Sequence, residues 1–149
     1  MRYAVPLLIV AASSVCAWAQ ESDQWRTCDA EVKTQLALNT CARDEAARID
    51  TVLDGVFQKL LSIAASEPGA VTKIEATERA WIVYRDNYIE AMYPAKNKQA
   101  EYGSSYSMEV SLLRAKLTQQ QVQSLGELLR HYTRADQPDV VPRPAPNQK

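Results

Sequence analysis

Histidine occurs once, at position 131, and cysteine three times in the 149 residues, too little material for a metal centre built by the protein itself. Glycine is held to four residues and phenylalanine to one, which argues against a many-turned β sandwich. No excess of one charge is present: seventeen Lys and Arg stand against eighteen Asp and Glu, a net −1. That balance removes the electrostatic case for nucleic-acid binding. What is present is 46% hydrophobic and 23% charged residues, the composition of a soluble globular chain long enough for one domain.

The first nineteen residues have the plan of a secretory signal peptide. Arg2 supplies the positive start, Leu7 to Val10 sit in a short apolar run, and Ala17-Trp18-Ala19 is a small-x-small cleavage site. The apolar run is short for a membrane span and Pro6 interrupts it. Lipid attachment at Cys16 is disfavoured because Val15 stands where a small residue is wanted. Export in soluble form is therefore expected, to the periplasm or beyond the cell, with no membrane insertion after cleavage. Removing residues 1–19 leaves sixteen basic residues against eighteen acidic ones, a net −2, and leaves Cys28 and Cys41 as the only cysteines. In an exported chain such a pair is expected to form a disulfide, worth about 3 kcal/mol for a loop this short. A continuous helix from 28 to 41 would hold the two residues about 19 Å apart, so the segment around Cys28 must fold back on a helix carrying Cys41. Thr34 is the expected N-cap of that helix, with Asp29 as the alternative.

From Leu38 to Ala64 the apolar residues recur at helical spacing, interrupted by Ser66-Glu67-Pro68-Gly69. Pro68 is placed to start a second helix running to about Tyr93. Its expected core stripe is Val71, Ile74, Trp81, Tyr84, Tyr88 and Met92, with Ile82 and Ile89 on a neighbouring row. Pro94 ends it, and residues 95–105 show no period and read as a loop. A third apolar series begins at Tyr106. Thr118-Gln119-Gln120-Gln121 has the spacing of a capping box, which either opens a separate last helix or marks a bend in a longer one. Beyond Arg134 lies a tail rich in proline (Pro138, Pro142, Pro144, Pro146), expected to be disordered. The fold class is all-α, an antiparallel bundle of three to four helices over residues 20–134 tied by one disulfide near its N-terminus.

No constellation for catalysis stands out. Glu75 precedes Arg79 by four residues, the arrangement of an ordinary helix ion pair, so Glu75 and Glu78 read as surface charges rather than a catalytic pair. Arg85 can stack on Trp81 one turn away, and the bland reading, an aromatic core layer with a snorkelling arginine, is preferred. His131 falls in a last helical turn, where a cation complements the helix dipole, with no partner that suggests chemistry. Ser104, Ser105 and Ser107 lack an activating histidine or a nucleophile elbow. The chain reads as no enzyme, with no cofactor and no metal.

Several segments taken in order resemble a known family. Cys28, Thr34-Gln35 and Leu38-Asn39-Thr40-Cys41-Ala42 look like its opening. Ile49-Asp50, Leu53-Asp54 and Phe57 follow, then Trp81-Ile82-Val83-Tyr84-Arg85-Asp86, Tyr102-Gly103-Ser104 and Leu117-Thr118. These resemble the LprI-type lysozyme-inhibitor domain, a family of small exported helical proteins, over roughly residues 25–130. Many members are similar in carrying four cysteines; the two further ones would fall near Ile89 and Leu113, where this chain is apolar. The resemblance implies a binding protein that blocks a lysozyme or another cell-wall hydrolase. The candidate contact segment is the loop at 95–105, with Glu101, Tyr102, Gly103 and Ser104 as its contacts. The family motif Trp81, Tyr84, Arg85 and Asp86 is expected to be structural. The alternative is an envelope interaction module without effect on lysozyme.

Overall fold

The computed structural model describes residues 23–135, so the expected signal peptide and the proline-rich tail lie outside the described residues. Within them the chain forms five helices in the order α1 (Asp23–Glu31), α2 (Gln35–Ala64), α3 (Ala70–Met92), α4 (Lys98–Tyr102) and α5 (Tyr106–Ala135). The all-α architecture with a disulfide close to its start agrees with the sequence reading.

Thr34 caps α2 in extended conformation, its hydroxyl accepting from the Ala37 N–H at 3.3 Å. The short α1 packs Trp25 into the protein and returns Cys28 to Cys41, with the two Cα atoms 6.1 Å apart. Asp29, the alternative cap, lies inside α1. Between α2 and α3 the chain turns over Glu67–Ala70. The Ala70 N–H donates to the Glu67 carbonyl at 3.1 Å, and Gly69 has φ +76°, ψ 0°. These are the third-residue angles of a type II turn, with Pro68 at its favoured second position. Helix α3 therefore starts at Ala70, two residues later than Pro68, because the proline builds the turn rather than the first helical turn.

Helices α2 and α5 are each 30 residues long, about 45 Å, and form the most intimate pair in the molecule. They run in the same direction: Asn39 meets Ser104 near their starts, Asp50 meets Thr118 midway, and Leu60 and Ala64 share a core with Leu125 toward their ends. Ala46, Ile49 and Ala115 form a second, smaller cluster, where small side chains let the two backbones approach. Helix α3 runs antiparallel to both, as a bundle with short connections requires.

The buried row of α3 differs from the expected stripe. It is Ala70, Ile74, Glu78, Arg85 and Ile89, whereas Tyr84, Tyr88 and Met92 are exposed. Two charged residues can occupy the inner face because each has a partner. Glu78 accepts from the buried Gln121 amide of α5 at 2.8 Å, and Arg85 lies over the Trp81 ring at 5.1 Å and donates to Asp86 at 2.8 Å. Trp81 alone of the expected aromatic layer packs against the main core. Ile89 is buried and Leu113 half-buried at the positions of the absent cysteines.

Helix α5 is continuous through the Thr118–Gln121 pattern, so neither a separate helix nor a cap is formed there. Thr118 is fully buried and donates to Asp50, while Gln121 reaches across to Glu78. Partners on two other helices take up the groups that a capping box would have used at a helix start.

A candidate partner-binding segment

Residues 95–105 are not a bare loop. Asn97 caps the short α4, its side-chain oxygen accepting from the Ala100 N–H at 3.1 Å, and Gly103 closes it with φ +71°. A helix this short does not hold itself together; the tyrosines around it do. Tyr102 stacks on Tyr106 with ring centroids 5.7 Å apart and meets Tyr93 edge-on at 5.2 Å, and Tyr93 meets Tyr106 edge-on at 5.3 Å. The Tyr102 hydroxyl accepts from the Ala95 N–H at 3.1 Å.

Three further ties fix the segment to the bundle. Lys98 donates to Glu90 at 2.7 Å and to the Tyr93 carbonyl, which holds the ammonium above its ordinary range through the Glu90 hydrogen bond. Tyr93 donates to Glu109 at 3.3 Å; burial first, and the Glu109 charge next, raise its phenol above the usual value. On the other side Asn39 donates to the Ser104 carbonyl at 3.1 Å, and Asn39 is itself held by the Gln35 amide at 2.9 Å. A single chain of contacts therefore runs from the start of α2, beside the disulfide, to the segment.

Of the four residues expected as contacts, Glu101, Gly103 and Ser104 are exposed, and Tyr102 is half-buried in the tyrosine cluster. The segment thus presents a carboxylate, a glycine backbone and a hydroxyl on a braced support. The family-motif residues Trp81, Arg85 and Asp86 contact one another along α3, Arg85 lying between the Trp81 ring and the Asp86 carboxylate, and Tyr84 points outward beside Tyr88 with ring centroids 5.9 Å apart. Sequence reasoning missed the bracing residues Tyr93, Tyr106, Gln35 and Asn39. Tyr93 before Pro94 and Tyr106 after Gly103 flank the segment symmetrically, the one signal that could have pointed to them.

At the opposite end of the bundle Glu67, Pro68, Ala70, Lys73, His131 and Tyr132 line a shallow cavity of about 330 Å³. Among the described residues, no group of three or more His, Cys, Asp or Glu is gathered to hold a metal ion, and no helix is long and apolar enough to cross a membrane.

No curated protein and no solved structure is significantly similar to the chain. The family model described as lysozyme inhibitor LprI matches residues 28–125, from the first disulfide cysteine to the buried Leu125 of α5. That span takes in the disulfide, α2, α3, the braced segment and the first twenty residues of α5, and the chain belongs to the LprI lysozyme-inhibitor family.

Proposed function

We propose that the protein is an exported, non-enzymatic inhibitor of a lysozyme-like peptidoglycan hydrolase, and that residues 95–105 enter the hydrolase's sugar-binding cleft. Family membership supports the partner class. The observation that carries the choice of segment is its bracing: tyrosine packing, a capped short helix and the Asn39–Ser104 hydrogen bond hold Glu101, Gly103 and Ser104 outward. A segment ordered before binding loses little conformational freedom on docking, which is the main advantage of a protruding inhibitory element. A carboxylate and a hydroxyl beside exposed backbone can take up hydrogen-bonding groups of a cleft built for sugars.

Tyr102 acts as support in this scheme, so the informative variant changes only the exposed residues. Glu101→Arg with Ser104→Arg is expected to keep the helical signal and thermal midpoint of the parent while raising the half-inhibitory concentration in a cell-wall lysis assay by at least about tenfold. Unchanged inhibition by this variant would take the segment out of the mechanism.

A further inference from the structure

The outward face of α3 has a pattern that packing inside the molecule does not use. Written as a heptad, Lys73, Ala76, Ala80, Val83, Asn87 and Glu90 occupy successive inner seam positions at alternating spacings of three and four. Every one of them is exposed, Val83 by 60%. The seam lies on the side of the helix away from Ile74, Glu78, Arg85 and Ile89, which face the bundle. Between Ala76 and Asn87 it carries no charge, and its alanines leave room for a second helix to approach closely.

The charges at its ends and flank select the partner. Run antiparallel to a second copy of itself, the seam pairs Ala80 with Val83 and Ala76 with Asn87 of the other copy, and Lys73 with Glu90. Each pairing occurs twice about a two-fold axis between residues 81 and 82. In the same register the flanking Arg79 comes opposite Asp86, and Tyr84 lies over Thr77. Arg79 and Asp86 are both exposed, at 67% and 59% of their side chains: Arg79 would exchange a loose 3.9 Å contact with Glu75 for this one, and Asp86, which already accepts from Arg85 at 2.8 Å, would take it up as a second partner. Glu90, already holding Lys98, would lie between two ammonium groups. A parallel pairing would instead set Lys73 against Lys73 and Glu90 against Glu90.

We infer that this face of α3 is a self-association surface on which two copies pair antiparallel through an alanine-rich seam. The seam spans about 26 Å and buries mostly small side chains, so association is weak and concentration-dependent.

Sedimentation equilibrium of the purified, oxidised protein across the micromolar range tests it. A monomer–dimer equilibrium is expected, with Ala80→Glu raising the dissociation constant more than about tenfold at unchanged helicity. Lys73→Glu is expected to weaken it less. Disulfide trapping reads the register: Ala76→Cys mixed with Asn87→Cys gives a crosslinked pair, while Ala76→Cys alone does not, its two copies lying about 16 Å apart along the axis. A protein that stays monomeric throughout overturns the inference, as does an Ala80→Glu variant that associates like the parent or efficient self-crosslinking of Ala76→Cys. A monomeric parent whose Ala80→Glu variant loses lysozyme inhibition would assign the face to the hydrolase instead.

Discussion

Thr118, with no exposed surface, shows what a single residue does in this bundle. Its hydroxyl donates to Asp50 at 3.2 Å, and Arg114 donates to the other Asp50 oxygen at 2.7 Å, so one carboxylate joins α2 to two successive turns of α5. Asp50→Ala leaves a buried hydroxyl without that acceptor and is expected to lower stability by about 1–3 kcal/mol, read from urea unfolding. Most of that loss belongs to Thr118, because Arg114 is half in water. Tyr93 carries the pH dependence. Its phenol and the Lys98 ammonium both titrate above their ordinary values of 10.0 and 10.5. A group raised on folding stabilises the fold below its unfolded value and loses that contribution as pH rises through the folded one. The braced segment is therefore expected to hold at neutral pH and loosen only in strong alkali. Tyrosinate absorbance should show one tyrosine lagging the others, and Glu109→Gln should shift it part of the way back. A single uniform transition would contradict this placement of Tyr93.

Among the elements, the long helices were legible in the sequence and the short ones were not. The start of α2 follows from Thr34 and the end of α3 from Pro94, both local signals that act whatever the surrounding fold. Helices α1 and α4, of nine and five residues, are too short to form alone and depend on the disulfide and on the tyrosine cluster, which no local pattern announces. The inner face of α3 was misread for a related reason: Glu78 and Arg85 become core residues only when Gln121 and Trp81 satisfy them. The candidate site was legible as a segment and as exposed residues, but Tyr102 was legible only as an aromatic, its supporting role being set by Tyr93 and Tyr106 from neighbouring helices. At this scale the turn between α2 and α3 is open to test. Gly69 has φ +76°, and a Cβ there would meet nothing within 4 Å, so Gly69→Ala probes backbone conformation alone. It is expected to destabilise by about 1 kcal/mol in chemical denaturation, with the helical content unchanged. Cys28→Ser with Cys41→Ser should cost about 3 kcal/mol and loosen α1 first.

For the whole molecule, the parallel pair of α2 and α5 acts as a rigid spine, with α3 laid back along it and the braced segment at one end. The chain of contacts from Gln35 and Asn39 to Ser104 couples the disulfide corner to that segment, so reduction should weaken partner binding as well as stability. The seam on α3 faces away from the spine and meets the segment at Glu90, which holds Lys98; apart from that residue, pairing of two copies and presentation of the segment use different surfaces. The direct test of the central claim is the rate of cell-wall lysis by a c-type and a g-type lysozyme, titrated with the oxidised protein. Saturable inhibition of at least one of them is predicted. A folded, helical protein that leaves both rates unchanged at micromolar excess would contradict it.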